Sequence, residues 1–327
     1  MRTVAEAVGV ATSTISKALR EDPTIPLSRR REIQKAAKSL GYRPDPLVST
    51  LMARLHDNRR RNDPHHIAWI DLWPDDPEAA RRNDFKLMLR GAMQRARELG
   101  YHIDVHHVNR DGTSATRLRQ ILISRSQWGL IIPPVPMDAA CYPLDLQSLA
   151  AVTIGTSLQQ PVMHRVAPNL YQGSQLACRE LRKKGCRRIG LVLSPSMNER
   201  VEEKWLGAYL AEQMHWPRSE RLPPLLVPPD AADLFEQWRA RTKPDVILIA
   251  EPHVEDWLAR KVGGKIILPT VWLRRVEFMR KGAPAIDTRP EKTGAAAVEL
   301  VVGQIHRNER GSPPIPHTLL LDGVWRE

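Results

Sequence analysis

The feature that most constrains this chain is the segment from Val4 to Leu19, "VAEAVGVATSTISKAL". Thr3 can cap a first helix, and Glu6, three residues later, completes a capping box. Gly9 can end that helix, because glycine accepts a left-handed backbone conformation. Apolar residues at helical spacing then continue into a second helix. The segment therefore predicts two short helices joined by a tight turn at Gly9.

The second predicted helix has a polar face that suits contact with DNA. Its apolar residues Ile15, Ala18 and Leu19 would point into a core. The outward positions carry small hydrogen-bonding groups and one cation, namely Thr12, Ser13, Ser16 and Lys17. A helix with such a face can lie in the major groove and contact base edges.

Two further motifs follow the helix-turn-helix in register. They are "REIQKAAKSLGYRP" and "PLVSTLMARL". From Thr3 to Leu51 the chain resembles, without a gap, the DNA-binding headpiece of the lactose/galactose repressor (LacI/GalR) family. In that family a third helix ends in a Gly-Tyr-x-Pro run and a hinge helix follows. A simple three-helix bundle is the alternative interpretation.

The resemblance implies roles for individual residues of the second helix. The family's base-reading positions are matched by Thr12, Ser13 and Lys17, and positions that usually touch phosphate by Thr14 and Ser16. Lys17 stands where arginine is usual, so a point charge would replace bidentate recognition of guanine. Ala11 replaces the usual serine cap, so capping is an alternative role for Thr12.

The segment after the third helix is interpreted as a hinge. Asp45 can cap and Pro46 can begin a short helix, and "HDNRRRNDPHH" then reads as a polar linker. In the family this helix pairs across the dimer axis on DNA, and a leucine at the position of Leu51 enters the minor groove and kinks the duplex. Packing within the helix is the alternative role for Leu51.

Charge and cysteine content favour a DNA-binding protein of the cytoplasm. Residues 1–61 contain 13 Lys or Arg and six Asp or Glu, so this fifth of the chain holds +7 of the net +12. Three cysteines without a CxxC pair indicate no disulfide framework. No run of eighteen apolar residues occurs, and the N-terminus leads directly into the helix-turn-helix, so we expect neither a membrane span nor a signal peptide.

From His66 onward, short apolar strands alternate with amphipathic helices. Examples are the strands "HIAWIDLW", "GLIIPPV", "RIGLVLS", "LPPLLVP" and "DVILIA" and the helices at 83–99, 170–184, 201–214 and 290–307. Such alternation predicts parallel sheets covered by helices on both faces. Two runs of similar size predict two lobes with a cleft between them. This region also resembles the family's periplasmic-binding-protein-like effector domain.

The expected fold is therefore an all-α helix-turn-helix headpiece followed by an α/β effector domain of two parallel-sheet lobes. We predict a DNA-binding domain at 1–46, a hinge helix and linker at 47–65, and an effector-binding and dimerisation domain at 66–327. The resemblance implies discontinuous lobes, with the chain crossing near 158, 287 and 312. Lobe one would comprise about 66–157 and 288–312, and lobe two about 158–287 and 313–327.

An effector site is expected between the lobes, at the carboxyl ends of strands. The side chains predicted there are Asp71, Trp73, Glu251 and Trp272, and Lys204 matches a position where the family commonly has an effector-binding arginine. Indole rings can stack on a sugar face, so we expect a carbohydrate; a core role for either tryptophan is the alternative. The family's usual aspartate near Trp272 and its Asn-Asp pair at 251–252 are missing.

Together these features predict a sequence-specific transcriptional regulator that binds double-stranded DNA. We expect a repressor that acts as a homodimer on a pseudo-palindromic operator, with no cofactor and no metal. A small-molecule effector would shift the population between DNA-competent and incompetent states. The alternatives are a solute-binding protein with a vestigial headpiece and an enzyme with a DNA-binding appendage, although no familiar catalytic motif is found.

One cluster could be mistaken for a metal site. His102, Asp104 and His106 alternate along a predicted strand, and side chains of these types bind zinc. A polar, solvent-facing side of the strand is the favoured interpretation.

Overall fold

The computed structural model describes residues 5, 7–19, 25–39, 65–73, 83–108, 112–260, 268–274 and 282–327. The chain divides into two compact units, Met1–Asn62 and Asp63–Glu327. Each unit has a hydrophobic core of its own. The predicted hinge helix, including Leu51, lies outside the described residues.

The first unit is helical. Its described helices are α1 (Thr12–Leu19) and α2 (Leu27–Ser39), and Ala5, Ala7 and Val8 before them are also helical. The turn between the first helical residues and α1 is at Gly9, whose φ of 66° lies in the left-handed region. Glycine adopts that conformation without steric cost, so the predicted turn is confirmed.

The second unit alternates strands and helices. In chain order these are β1 (His65–Asp71), α3 (Asn83–Glu98), β2 (Tyr101–His107), α4 (Ala115–Ser124), β3 (Gly129–Ile132), β4 (Ala150–Ile154), β5 (His164–Asn169), α5 (Leu170–Lys183), β6 (Ile189–Leu193), α6 (Pro195–Arg200), α7 (Lys204–Gln213), β7 (Leu225–Leu226), α8 (Ala232–Thr242), β8 (Val246–Ile249), α9 (His253–Arg260), β9 (Thr270–Trp272), β10 (Ala285–Asp287), α10 (Pro290–Arg307), β11 (Thr318–Asp322) and β12 (Val324–Arg326).

These strands form two six-stranded sheets. The first has the order β11-β5-β4-β3-β1-β2, and the second has the order β12-β10-β9-β8-β6-β7. The described strands pair in parallel, except that β12 runs antiparallel to β10. We call the first sheet with its covering helices the first lobe, and the second sheet with its helices the second lobe.

Each sheet is covered on both faces, because successive side chains of a strand point in opposite directions. In the first lobe, one face packs against α3 and α10, and the other against α4 and the loop that contains Leu144 and Leu149. In the second lobe, α5 and α7 cover one face, and α8 and α9 the other. All five residues of β4 are buried, as expected for a strand covered on both sides.

The chain passes between the two sheets three times. β5 still pairs with β4, and α5 packs on the second sheet, so the first passage follows Asn169 rather than residue 158. The second passage separates β10 from α10, close to the expected residue 287. The third is at Gly323, between β11 and β12, rather than near residue 312. The lobe boundaries predicted at 158 and 312 are corrected accordingly.

Glycine is required by packing where helices or strands approach closely. A Cβ added at Gly294 in α10 would lie 1.9 Å from the carbonyl oxygen of Met88 in α3, and one at Gly91 would lie 2.0 Å from that of Glu291. The two helices therefore cross backbone to backbone. At the third passage, a Cβ at Gly323 would lie 2.6 Å from Cγ2 of Ile286.

Two elements differ from the predictions made from the sequence. A single helix was expected at 201–214, whereas α6 precedes a shorter α7. Ser194 caps α6 and Pro195 begins it, which are standard signals for the start of a helix. The expected strand "LPPLLVP" is reduced to β7, because proline cannot donate a hydrogen bond within a sheet.

None of the helices in the described ranges combines the length and hydrophobicity needed for a membrane span.

Candidate functional site

The helix predicted to read DNA is held by a small core. Ile15 and Ala18 of α1 are fully buried against Ile33 of α2, with Ala5 and Ala37 completing the cluster. Lys17 is exposed and Thr14 is half-buried. Helix α1 has one buried face and a lysine on its exposed face. It can therefore present the exposed face to a partner. The predicted contacts Thr12, Ser13 and Ser16 lie on the same helix.

Two arginines at the start of α2 support this arrangement. Arg29 donates a hydrogen bond to the carbonyl oxygen of Val8 at 3.2 Å and pairs with Glu32 at 2.6 Å. Arg30 donates to the carbonyl oxygen of Ile25 at 2.9 Å. These side chains therefore tie the helices and the intervening turn together.

The second unit contains a cavity of about 360 Å³ between its two lobes. From the first lobe it is lined by Trp73, Asp84, Phe85, Met88, Pro134, Ile154, Gly155, Thr156, Ser157, Ala167 and Pro168. From the second lobe and the crossing segments it is lined by Leu170, Met197, Arg200, Val201, Lys204, Trp205, Arg274 and Thr288. Its volume suits a small organic ligand.

The cavity lies at the carboxyl ends of the parallel strands. Trp73 and Pro134 follow β1 and β3, and Arg274 and Thr288 follow β9 and β10. In open α/β sheets this is where loops from several strands converge to bind ligands.

Two of the five predicted effector residues line this cavity, and a third positions one of them. Trp73 and Lys204 are part of the lining. Asp71 accepts a hydrogen bond from the backbone N–H of Trp73 at 3.0 Å, and its other oxygen lies 3.1 Å from Nδ1 of His107. Asp71 therefore fixes the backbone of Trp73.

Glu251 lies behind the cavity wall. Its carboxylate accepts hydrogen bonds from the backbone N–H and the hydroxyl of Ser194, at 2.8 and 2.9 Å. Ser194 in turn accepts from the N–H of Met197, which lines the cavity. The structure thus makes Glu251 a support for α6.

Trp272 belongs to the core of the second lobe, which corrects its prediction as a cleft residue. It is fully buried in the cluster that contains Phe235 and Trp257, and its indole N–H donates to Glu255 at 3.2 Å. The alternation of side chains along β9 directs it toward α8 and α9. The alternative of a core role, weighed from the sequence, is therefore the correct one for Trp272.

Most lining residues were missed by sequence reasoning, among them Asp84, Phe85, Arg200 and Arg274. Arg200 ends α6, so recognition of the Ser194-Pro195 start signal would have drawn attention to it. Asp84 and Phe85 lie in the first turn of a helix that follows β1, where loops of this fold class form ligand sites. Arg274 lies two residues after β9, and only the position of that strand in the sheet identifies it as a lining residue.

Contacts between the lobes surround the cavity. The guanidinium of Arg200 lies 5.5 Å from the ring centroid of Trp73, whose indole N–H donates to the carbonyl oxygen of Pro134 at 2.7 Å. Arg274 lies 3.8 Å from the carboxylate of Asp84. Burial raises the pKa of Asp84, and the charge of Arg274 opposes that rise. Thr156 donates to the carbonyl oxygen of Arg200 at 3.1 Å.

The polar strand that resembled a metal site forms a hydrogen-bonded network instead. One oxygen of Asp104 contacts Nδ1 of His66 at 2.9 Å and also accepts a hydrogen bond from Gln127. His106 bonds to the same amide at 3.0 Å. Among the described residues, no group of three or more His, Cys, Asp or Glu is arranged to hold a metal ion.

Comparison with known proteins identifies relatives of both parts. Residues 1–45 match the family model described as bacterial regulatory proteins, lacI family. Over 194 residues the chain is 25% identical to the HTH-type transcriptional regulator MalR of Streptococcus pneumoniae serotype 4. That match covers 59% of this chain and 56% of the relative, so the chain spans little more than half the length of that relative.

Solved structures share the fold at low identity. A complex of the transcriptional regulator CelR with cellobiose has a TM-score of 0.54 and 16% identity, and covers 99% of this chain and 97% of that one. The Lac repressor bound to ONPG in its repressed state has a TM-score of 0.53 and 16% identity, with the same coverage. A LacI-family regulator from Rhizobium etli has a TM-score of 0.57 and 16% identity, and covers 81% of this chain and 98% of that one.

These matches confirm the resemblance to the LacI/GalR family that the sequence indicated. They also confirm the fold class, a helical headpiece followed by a periplasmic-binding-protein-like domain of two parallel-sheet lobes.

Proposed function

We propose that this chain, with its lacI-family helix-turn-helix domain, is a sequence-specific DNA-binding transcriptional regulator, acting as a repressor under the control of a small-molecule effector. The observation that carries the proposal is helix α1, which buries Ile15 and Ala18 in the headpiece core and exposes Lys17. A helix held in this way can enter the major groove as a rigid element.

DNA recognition would be divided among three kinds of contact. Lys17, Thr12 and Ser13 would contact base edges, and Thr14 and Ser16 would contact phosphates. Leu51 would enter the minor groove. Two copies of the chain would bind the two half-sites of a pseudo-palindromic operator, because a two-fold symmetric dimer matches a two-fold symmetric site.

The interlobe cavity would hold the effector. A ligand there would contact α6 and the loop after β9 on one side, and Trp73 and α3 on the other. It would therefore change the relative free energies of the open and closed arrangements of the lobes, and so shift the DNA-competent population. The cellobiose named in the CelR complex supports a carbohydrate.

A regulator of this kind would act in the cytoplasm, where the chromosomal DNA is, and would have no enzymatic activity. The described lining of the cavity has one carboxylate, that of Asp84, and no histidine or cysteine. Turnover of an effector would contradict this part of the proposal, and ligand binding without selective DNA binding would favour a solute-binding protein.

The experiment that tests the proposal is selection from a random duplex library with the purified full-length protein at about 0.15 M salt. We expect a two-fold symmetric motif, because each protomer of a dimer would read one half-site. Recovery of unselected DNA, both with and without added sugars, would contradict sequence-specific regulation.

The hinge contact can be tested on the selected operator with Leu51→Ala. Specific affinity should fall, because the apolar wedge that stabilises the kinked duplex is removed. Leu55→Ala, in the same predicted helix, serves as the matched control. Unchanged operator affinity of Leu51→Ala would show that Leu51 is not the wedge.

A further inference from the structure

The turn between α6 and α7 has an unusual backbone. Glu202 and Glu203 have φ angles of 52° and 55°, in the left-handed region. A single left-handed residue commonly ends a helix, and it is usually glycine, because a Cβ makes this conformation costly. Here two successive residues with side chains adopt it. Strained backbone persists where the surrounding structure holds it, and it concentrates at functional sites.

Backbone hydrogen bonds hold this turn against the end of α6. The N–H of Glu202 donates to the carbonyl oxygen of Glu199 at 2.9 Å, and the N–H of Glu203 donates to that of Asn198 at 2.9 Å. These two bonds fix the path of the chain from α6 into α7.

Residues on both sides of the turn line the interlobe cavity. Arg200 and Val201 come before the two glutamates, and Lys204 and Trp205 come after them. The glutamates themselves are exposed and lie outside the lining. The conformation of the turn therefore determines where Lys204, a predicted effector-binding residue, enters the cavity wall.

The carboxylate of Glu202 connects the two lobes. Its Oε1 lies 3.6 Å from Nη1 of Arg165, in β5 of the first lobe, and its Oε2 lies 2.5 Å from Nζ of Lys204. Arg165 is anchored to its own lobe, because it also donates to the carbonyl oxygen of Leu158 at 3.1 Å. One carboxylate thus binds a fixed cation of the first lobe and a cavity-lining cation of the second.

The same segment makes a second contact between the lobes. Thr156 of the first lobe donates a hydrogen bond to the backbone carbonyl oxygen of Arg200 at 3.1 Å. Glu203 is different from its neighbour Glu202, because its side chain makes no hydrogen bond or ion pair with the described residues. The two glutamates share a backbone conformation, but only the carboxylate of Glu202 reaches across the cleft.

We propose that Glu202 is a positioning residue of the effector site, which holds Lys204 in the cavity wall and, through Arg165, ties the α6–α7 turn to the first lobe. The inference rests on the proposed function, because it treats the interlobe cavity as the effector site. The ion pair with Arg165 requires the lobes to be close together, so it favours the closed arrangement over an open one.

The contribution of this ion pair is expected to be modest. The side chain of Glu202 is 50% exposed, and ion pairs between exposed groups usually change an equilibrium constant by roughly 1.5- to 5-fold. A change of this size is enough to shift the populations of two arrangements that have similar free energies.

The test is hydrogen–deuterium exchange of the full-length protein, measured by mass spectrometry without DNA or effector. Arg165→Gln and Glu202→Gln should each speed exchange of the amides of residues 202–204 by roughly 1.5- to 5-fold, because the turn loses its tie to the first lobe. Glu203→Gln is the matched control, since it removes the same charge from the adjacent residue, and it should leave this exchange unchanged. Wild-type exchange rates in α8 would show that the second lobe of each variant is folded.

Operator affinity provides a second measurement. Arg165→Gln removes a positive charge and Glu202→Gln removes a negative one, so an effect of net charge on DNA binding would have opposite signs in the two variants. Loss of one shared contact instead predicts a change of the same sign in both. It also predicts that Glu202→Gln has a smaller effect when Arg165 is already replaced.

Three results would overturn the inference. They are unchanged exchange of residues 202–204 in Arg165→Gln, an effect of Glu203→Gln as large as that of Glu202→Gln, and opposite changes of operator affinity in Arg165→Gln and Glu202→Gln. The proposed function is judged separately, by DNA selection with the wild-type protein. Unselective DNA binding would reject the regulator, whereas the exchange rates would still decide the role of Glu202.

Discussion

At the scale of single residues, several polar side chains outside the cavity hold neighbouring residues of its wall in position. Asp71 holds the backbone of Trp73, and Glu251 holds Ser194, the cap of α6. The rings and cations that line the cavity are therefore positioned by polar groups outside it. Replacement of such a positioning residue should alter ligand affinity through the geometry of the wall, with no loss of a direct contact.

Lys17→Ala tests base reading by α1. Loss of a base contact costs on the order of 1–3 kcal/mol, and it should appear at one position of each half-site because a lysine reads a local part of the groove. The measurement is a competition assay with operators substituted one base pair at a time. The control is Lys35→Ala, which replaces an exposed lysine of α2. A uniform loss over all sequences would instead make Lys17 a phosphate contact.

His164→Gln tests a source of acid sensitivity. Burial lowers the pKa of His164, and nearby His317 lowers it further. In addition, Nδ1 of His164 accepts a hydrogen bond from the backbone N–H of His317 at 2.9 Å. A ring nitrogen can accept a hydrogen bond only when the ring is neutral. The folded-state pKa lies below the ordinary value of 6.5. The contribution of neutral His164 to the free energy of unfolding is therefore complete above pH 6.5 and is lost as pH falls through the folded-state pKa.

The free energy of unfolding, measured by urea denaturation across this pH range, should fall less steeply in the variant than in the wild type. The limit for one proton is about 1.4 kcal/mol per pH unit. The exposed His215 provides the control His215→Gln, which should keep the wild-type slope. Equal slopes in wild type and His164→Gln would rule out His164 as the group responsible.

At the scale of elements, the first lobe depends on close contact between α3 and α10. Both helices carry a glycine at the crossing, and each glycine meets a backbone carbonyl of the other helix. Close backbone approach lets α10 pack simultaneously on α3 and on β3, β4 and β5. The helix α10, which follows the second passage between the sheets, is in this way fixed to α3, the helix that carries Asp84 and Phe85.

Gly294→Ala should destabilise the protein by roughly 1–3 kcal/mol, the usual cost of overpacking. The new Cβ would lie 1.9 Å from the carbonyl oxygen of Met88, so the two helices must separate. Urea denaturation measures the loss. Gly303→Ala in the same helix is the control, because its Cβ would meet the flexible end of Arg307 at 3.0 Å and alanine favours helix by about 1 kcal/mol. Equal free energies of unfolding for Gly294→Ala and Gly303→Ala would exclude a tight crossing of α3 and α10.

At the scale of the whole molecule, the headpiece and the two-lobed unit each have a core of their own. We expect the fragment 63–327 to fold cooperatively and to keep effector binding, while losing affinity for the operator. Circular dichroism, calorimetry and operator titration of the fragment check these three properties. A fragment without a cooperative thermal transition would show that the lobes need the first 62 residues to fold.

Sequence alone determined the features that depend on local spacing. The turn at Gly9 and the helices at 83–98, 170–183 and 290–307 follow from capping residues and from apolar periodicity, which report the environment of neighbouring residues. The alternation of strands and helices likewise determined the two-lobed architecture. These signals depend on residues that are close together in sequence, so each can be recognised within a single segment of the chain.

Only the tertiary structure decided which side chains meet across the cleft. Trp73 and Trp272 both stand near the ends of apolar strands, yet one lines the cavity and the other fills a core, because Trp73 lies beyond the end of β1 whereas Trp272 lies within β9 and faces α8 and α9. Arg200 and Arg274 are far apart in sequence, yet both line the same cavity. Contacts of this kind arise from packing between distant segments, and residue spacing within a segment contains no information about them.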